Sequence, residues 1–488
     1  MSAILCHTNI SEVVSKYPPK PVRNLTLTPG KFLVSLTWEE PADYTEEGYT
    51  CTWAKTVVVR KQGGYPNDIH DGVVVVTTVE RNKYKTTEYD DTGLTAGETY
   101  YYRVFACSTD GVYAEPAEGT AVPKAYKVMS IIIDIDNSNP ASWGTYSDDA
   151  LDMPNGKASA TTSAWKEFFG YRPCLFKNGQ VVKYIDPNNF SKFEDGTSVP
   201  SDGGDVMIEF PRRGLKITKN DNIMTISMTD NPNDPDFTYH AHMRGDTDKD
   251  NFYLGAYLGY IKNDILRSLS GQKATINEDI ITFETAAFAA GTGYGYLCYF
   301  QWLYILCMYL LQFKGNMRSA SVLGKGPYSP DSSIPKTGRA NKKGMVYGDD
   351  TSVVKLFGLE DIYGYVYQDL NNLYVTNAKI YTTTDDTVCN TYSKYEFGTN
   401  IGYTYRNAYM RDCFATPELA FIYKSTPKTG GSSSTYFCTL QTIAKMSNAV
   451  WCGSGKPDGE RSLFKIVTGE NDGKERSLSW SGTRLQYL

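Results

Sequence analysis

The segment Leu297–Phe313, LCYFQWLYILCMYLLQF, is almost continuously apolar and contains no ionised side chain. A helix that crosses a membrane needs about 20 strongly apolar residues. This segment is 17 residues long, includes Gln301, Gln312 and three tyrosines, and is followed by Gly315 two positions after its end. A helix that is apolar on every side must be buried. The pattern therefore predicts a helix in the core of a large domain, ended by Gly315 in a left-handed conformation, and no membrane insertion.

Length and charge narrow the class of protein further. With 488 residues, of which 41% are hydrophobic and 21% charged, the chain is expected to be globular with two to four domains. The formal charge of −6 provides no basic surface for nucleic acid. The N-terminal residues lack a basic region followed by an apolar one, so we expect no signal peptide and synthesis in a cytoplasm. The ten cysteines include no CxxC spacing, so we expect thiols and no disulfide framework.

A β-rich segment follows a short polar arm at residues 1–16. From Val22 the sequence alternates apolar and polar residues, with turn residues every 8–12 positions and Trp38 at an inward position. This pattern is typical of a small all-β sandwich. We assign the sandwich to residues 17–123.

The sandwich segment resembles a fibronectin type III domain in two motifs. Leu94-Thr95-Ala96-Gly97-Glu98-Thr99-Tyr100 is similar to the corner motif of that family, in which the tyrosine hydroxyl bonds back across a turn. Residues 55–61, KTVVVRK, followed by Gly64-Tyr65-Pro66 and Asp71-Gly72, look like the variant found in phage tail proteins. The resemblance implies a virion protein of the tail or baseplate.

The remaining segment, residues 124–488, mixes strands, helices and long loops. Strands are predicted at 128–136, 206–210, 215–217 and 223–228, and helices at 279–290 and 297–313. Residues 358–369, GLEDIYGYVYQD, resemble the signature GLxDMxGNVWEW of the formylglycine-generating branch of the C-type lectin fold. Five positions match (Gly358, Leu359, Asp361, Gly364 and Val366), Ile362 and Tyr367 are similar, and Tyr365 and Gln368 depart from the signature. The resemblance implies an α+β C-type-lectin-like domain, closed by a C-terminal strand at 481–488 that returns beside the first strand.

The residues that would carry catalysis or bind metals are sparse. The enzymes of that branch bind copper through a close pair of cysteines, whereas Cys438 and Cys452 are fourteen positions apart without a neighbouring histidine. His240 and His242 alternate on a possible strand, but zinc would need a third ligand such as Asp246 or Asp248. The acidic turns at 231–236 and 246–250 fit no calcium-loop spacing. We therefore expect no metal, no cofactor and no enzymatic activity.

The predicted role is host attachment by a phage tail or baseplate protein. The expected partners are other tail proteins and a bacterial surface glycan or cell-wall polymer, and tail symmetry favours a homo-oligomer. Aromatic rings near small polar residues are the candidate receptor contacts: Tyr347, Tyr363, Tyr403, Tyr405, Trp451, Trp480 and Tyr487. Two alternatives stay open: a purely structural tail component, and an enzyme that degrades surface polysaccharide with paired carboxylates.

Overall fold

The computed structural model describes residues 17–327, 334–376, 379–385, 397–401, 406–424, 428, 430–443, 450–453, 462–468 and 480–488. The expected arm at 1–16 lies outside these residues. The chain divides into two compact units between Tyr126 and Lys127. With 42% strand and 10% helix in several separate sheets, the protein is the β-rich multidomain chain that the sequence predicted.

In the described part of the first unit, all regular secondary structure is β-strand. The strands are β1 Arg23–Gly30, β2 Leu33–Glu39, β3 Tyr44–Glu46, β4 Tyr49–Cys51, β5 Trp53–Gln62, β6 Val73–Thr78, β7 Tyr89–Thr92, β8 Tyr100–Ser108 and β9 Ala117–Ala121. One sheet has the order β1-β2-β7, the other β6-β5-β8-β9, and β3 and β4 form a separate hairpin.

The two sheets of the first unit enclose one apolar core. In β2 every second residue is buried, as the alternating sequence predicted. Val34 and Leu36 from β2 belong to the same cluster as Val58 from β5 and Val104 from β8. Trp38 is 1% exposed and its indole N–H donates to Glu40 Oε1 at 2.7 Å.

The expected corner contact of Tyr100 is present. The backbone N–H of Thr95 donates to the Tyr100 hydroxyl at 3.0 Å, and Leu94 is buried beside this turn. The bond fixes the connection between β7 and β8, which belong to different sheets.

The second unit begins with a strand-rich half. Its elements are β10 Val128–Asp134, β11 Gly144–Asp148, a 3-10 helix Lys157–Thr161, α1 Ser163–Phe169, β12 Arg172–Lys177, β13 Gln180–Tyr184, β14 Asp205–Pro211, β15 Gly214–Asn220, β16 Ile223–Thr229, a 3-10 helix His240–His242, β17 Met243–Arg244, β18 Thr247–Asp248, β19 Asn251–Gly255, β20 Tyr260–Lys262 and β21 Ile265–Arg267.

Three helices and the remaining short strands complete the second unit. They are α2 Ile280–Phe288, β22 Tyr294–Tyr296, α3 Tyr299–Gln312, α4 Ser319–Leu323, β23 Tyr347–Gly348, β24 Val354–Leu356, β25 Leu359–Glu360, β26 Tyr367–Leu370, β27 Leu373–Thr376, β28 Lys379–Thr382, β29 Phe397–Asn400, β30 Arg406–Tyr409, β31 Leu440–Ile443, β32 Val450–Cys452, β33 Ile466–Thr468, β34 Ser481–Gly482 and β35 Leu485–Tyr487.

Helix α3 is the centre of the second unit. All fourteen of its residues are buried, and it packs against β10 and β16 of the antiparallel sheet β11-β10-β16-β15. Gly315 follows with φ +70°, and its N–H donates to Leu310 O at 2.7 Å, which ends the helix as predicted. No helix among the described residues is both long and apolar enough to cross a bilayer.

The C-terminal strand joins the largest sheet of the strand-rich half. The order of that six-stranded sheet is β13-β12-β14-β19-β35-β22. Strand β35 therefore lies between β19 and β22, and the expectation that it returns beside the first strand of the domain is wrong. A second six-stranded sheet, β30-β31-β33-β32-β26-β34, contains β26 from the signature segment.

Candidate functional site

Two of the predicted receptor contacts lie in the core. Tyr363 is fully buried, and its hydroxyl donates to Ser319 O at 3.1 Å and Gly324 O at 2.8 Å. Trp451 is 1% exposed on the central strand β32. Neither ring is presented to a ligand, because each is covered by the packing of its own domain. Tyr403 and Tyr405 lie outside the described residues.

Three further candidates are half-buried and separate from one another in sequence. The Tyr347 ring lies under the ammonium groups of Lys343 and Lys157, at 4.7 and 5.2 Å. The Trp480 ring meets Tyr365 edge-on at 5.5 Å. Tyr487 lies on β35, within a larger group of aromatic rings described below.

The two paired histidines are packing residues. They lie in a 3-10 helix, so the expected alternation on a strand is wrong. His242 is buried against Phe252 and Tyr304, and burial lowers its pKa to about 3. His240 Nε2 lies 3.4 Å from Glu418 Oε1. Within the described residues, no three His, Cys, Asp or Glu side chains converge on a metal position.

The signature segment forms a buried polar cluster, and its role is to hold the fold together. Glu360 accepts the backbone N–H groups of Gly338 and Ala340, both at 2.8 Å. Burial raises the pKa of Asp361 to about 7, while Arg339, which donates to its carboxylate, acts in the opposite direction. Gly358 and Gly364, both at positive φ, lie within this segment on either side of Glu360 and Asp361.

A row of paired polar and aromatic residues crosses the sheet that contains β35. Arg172 pairs with Glu209, Glu209 with Tyr253, Tyr253 with Tyr487, and Tyr487 with Tyr294. Directly paired residues of antiparallel strands share one face of a sheet, so the five side chains lie on one side. We call the rings on this side the aromatic face: Phe176, Tyr184, Tyr253, Tyr294 and Tyr487.

The rings of the aromatic face contact one another. Phe176 lies 4.4 Å from Tyr253 and 4.9 Å from Tyr487, between ring centroids. The turn between β12 and β13 folds toward these rings, because the backbone N–H of Gly179 donates to the Tyr294 hydroxyl at 3.2 Å. Gly179 has φ +76°, and a Cβ there would lie 2.8 Å from the Tyr487 hydroxyl, so both the backbone conformation and the close approach favour glycine. Phe176 and Tyr294 are buried and support the other three rings, whereas Tyr184, Tyr253 and Tyr487 are half-buried.

A single carboxylate orders two of these tyrosines. Glu209 accepts the Tyr253 hydroxyl at 2.8 Å through Oε1 and the Tyr184 hydroxyl at 3.0 Å through Oε2. Burial raises the pKa of both tyrosines, and Glu209 adds to the increase. Both hydroxyls therefore stay protonated at neutral pH and hold their rings in fixed positions.

Arg172 connects the aromatic face to a neighbouring cavity. Its guanidinium lies 3.5 Å from the centroid of the Tyr184 ring, a close cation–π contact. Its Nη2 donates to both carboxylate oxygens of Glu194, at 3.1 and 3.0 Å. Arg172 and Glu194 also line a cavity of about 240 Å³ together with Lys166, Gly170, Tyr171, Pro173, Pro187 and Met345.

Of this group, only Tyr487 was predicted from the sequence. The Asn178-Gly179 turn was visible, and alternation from Arg172 would have placed Cys174 and Phe176 on the same face. The pairing of β19 with β35 joins residues more than two hundred positions apart. No local pattern predicts such a pairing, so the convergence of Tyr253 and Tyr487 could not be inferred.

Comparisons with known proteins provide no family. No protein-family model and no curated protein match the chain. A chitinase from Bacillus thuringiensis aligns over 43% of this chain and 23% of its own, at 13% identity and a TM-score of 0.15. A structure of titin kinase and its flanking domains aligns over 43% of this chain and 37% of its own, at 12% identity and a TM-score of 0.16. These scores are too low to carry an argument about fold or activity.

Proposed function

We propose that this protein is a non-enzymatic component of a phage tail or baseplate that attaches to a glycan on the bacterial surface. The observation that carries the proposal is the aromatic face, with the carboxylate of Glu209 ordering its rings and the guanidinium of Arg172 at its edge. Rigid rings with polar groups at their margin suit a saccharide, which presents apolar ring faces and hydroxyls together.

The first unit supports the tail assignment through its architecture. A three-stranded sheet facing a four-stranded one, with a buried tryptophan and a tyrosine bonded across a corner, supports the proposal of a fibronectin type III domain. We assign the segment 17–123, within the compact unit that ends at Tyr126, to that class. Its motif at Lys55–Lys61, which resembles phage tail variants, is the β5 strand in the centre of the larger sheet.

The second unit supports a C-type-lectin-like assignment in its signature segment. Residues 358–370 are buried, enter strands through glycine turns and bond to the C-terminal strand through Arg484. Strand β35 departs from the expected position, so the likeness rests on the signature segment and on the helices before it.

Binding of the full-length protein to bacteria tests the proposal. Labelled protein is incubated with a panel of bacterial strains and with their purified surface polysaccharides, and bound label is measured. Tyr184→Ala and Arg172→Ala should each reduce binding by about tenfold or more, because the first removes the ring that positions Arg172 and the second removes the charged donor itself. Lys183→Ala is the matched control, since it removes the Lys183–Asp195 ion pair from the opposite face of the same hairpin.

Each alternative has its own outcome in this experiment. Binding that is unaffected by both site variants contradicts the aromatic face as the contact surface. Absence of binding to every strain, with binding to other tail proteins retained, favours a purely structural component. Sugars released from purified polysaccharide by the unmodified protein would replace the non-enzymatic assignment with a degrading enzyme.

A further inference from the structure

The cavity beside the aromatic face has a charged rim and an apolar floor. Tyr171 and Met345, which are 8% and 5% exposed, form the floor. Lys166 and Arg172 contribute two cationic groups, and Glu194 contributes one carboxylate. The lining therefore carries a formal charge of +1 (two cations against one anion) in a chain whose total is −6.

Both cations keep hydrogen-bonding capacity for a ligand. Arg172 uses Nη2 for Glu194, and within the described chain its Nε and Nη1 donate to no acceptor. The Lys166 ammonium likewise makes no hydrogen bond or ion pair to any described residue. Arg213 adds a third positive charge nearby, because its Nη2 would lie 3.0 Å from a Cβ placed on Gly170 of the cavity wall.

The size of the cavity limits what can enter. About 240 Å³ is below the roughly 300–1,000 Å³ of pockets that hold drug-sized molecules. One sugar residue or one phosphate group fits this description better than an extended oligosaccharide. Arginine and lysine donors at the rim select carboxylate or phosphate oxygens.

We propose that this cavity binds the anionic group of a surface saccharide, either the carboxylate of a uronic acid or the phosphate of a phosphodiester polymer. The next sugar of the polymer then lies along the aromatic face, because Arg172 borders both the cavity and that face. This inference rests on the proposed function and specifies the ligand of the same site.

Direct binding of defined oligomers to the full-length protein tests the charge of the ligand. The probes are tetragalacturonate, its carboxyl-reduced neutral form and a glycerol phosphate oligomer, measured by calorimetry at low and high ionic strength. We expect one or both anionic oligomers to bind, with an affinity that falls as the salt concentration rises. The carboxyl-reduced form should bind at least about tenfold more weakly than tetragalacturonate, if tetragalacturonate binds. The two anionic probes distinguish a carboxylate ligand from a phosphate ligand.

Three variants test the position of the anion. Lys166→Ala and Arg172→Gln should each weaken the anionic probe by about tenfold, whereas Glu194→Gln should strengthen it, because a repelling carboxylate is removed. Lys216→Ala removes the same charge from β15, a strand of another sheet, and should leave the affinity unchanged. Circular dichroism confirms that each variant is folded.

The possible failures are separable. Equal binding of the neutral and anionic tetrasaccharides overturns the inference, as does an unchanged affinity in Lys166→Ala and Arg172→Gln. Binding to bacteria without binding to either anionic oligomer overturns the inference and leaves the proposed function standing. If the unmodified protein binds no bacterial strain, the proposed function itself is overturned.

Discussion

A single buried arginine holds three parts of the second unit together. Arg484 is fully buried on the C-terminal segment, and burial lowers its pKa to about 10, so it remains charged at neutral pH. Its Nε donates to Gln368 Oε1 at 2.6 Å, its Nη1 donates to Gly255 O at 3.0 Å, and its Nη2 donates to Glu360 O. The guanidinium of Arg484 therefore links the C-terminal segment to strand β19 and to the signature segment by hydrogen bonds.

Replacement of this arginine should be severely destabilising. Arg484→Met leaves the oxygens of Gln368, Gly255 and Glu360 buried without their donor, so the free energy of unfolding should fall by about 3–5 kcal/mol. Urea unfolding of the full-length protein, followed by tryptophan fluorescence, measures the change. The exposed Arg172→Met should cost less than about 1 kcal/mol. Similar costs for both variants would contradict the role assigned to Arg484.

A buried lysine in the same region gives the stability a specific pH dependence. Lys355 is 1% exposed, donates to Ala340 O at 3.2 Å and lies 3.3 Å from the Phe190 ring centroid. Burial lowers its pKa to about 7, and Glu360 opposes part of this shift. Between this value and the ordinary lysine pKa of about 10.4, the unfolded chain binds a proton that the folded protein does not. Stability contributed by this group therefore rises with pH in that window.

Substitution of Lys355 isolates this effect. In the wild-type protein, the contribution of Lys355 to the free energy of unfolding should rise by about 1.4 kcal/mol per pH unit between about pH 7.5 and 9.5. Lys355→Met should abolish this rise. The measurement is the difference between the unfolding free energies of wild type and variant at several pH values. The variant should be the more stable protein near pH 7.5, with the gap closing as pH rises. Parallel curves would show that Lys355 is protonated in the folded protein throughout this range.

At the scale of elements, α3 carries polar groups that its buried position does not satisfy. Among the described residues, both side-chain polar atoms of Gln312 and the hydroxyl of Tyr309 are buried without a hydrogen-bond partner. An unsatisfied buried polar group costs about 1–3 kcal/mol. The helix therefore contains sites at which an apolar residue should be preferred.

Gln312→Met replaces such a group with an apolar side chain of similar size. We expect the free energy of unfolding to rise by about 1–2 kcal/mol, measured by urea unfolding. Gln368→Met is the matched control: this glutamine is equally buried, but it accepts from Arg484 and donates to Ile362 O at 2.6 Å, so its loss should destabilise. Destabilisation in both variants would indicate that a buried water bonds Gln312.

The elements themselves were largely predictable, and their pairing was not. The helices expected at 279–290 and 297–313 are α2 and α3, and the strand expected at 128–136 is β10. These elements have strong local periodicity, which is what a sequence pattern reports. The position of β35 beside β19 and the convergence of Arg172, Glu209 and Tyr253 depend on contacts distant in sequence. The buried state of Tyr363 and Trp451 has the same origin, because a ring near glycine or aspartate fits a loop and a core equally well.

At the scale of the whole molecule, the chain has two compact units with separate apolar cores. The core around Trp38 contains residues of the first unit alone, and the core around α3 contains residues of the second alone. Each unit is large enough to form a domain of its own. We therefore expect calorimetry of the full-length protein to resolve two unfolding transitions.

Two variants, one in each unit, assign the transitions to the units. Tyr100→Phe removes the hydroxyl that accepts the Thr95 N–H. The free energy of unfolding of the first unit should therefore fall by about 0.5–1.5 kcal/mol, and its transition alone should shift. Tyr101→Phe is its control, because within the described chain the adjacent hydroxyl makes no hydrogen bond. Arg484→Met should shift the other transition alone. If both variants moved both transitions together, the units would unfold as one cooperative body, and the free energy of each core could not be separated from that of the other.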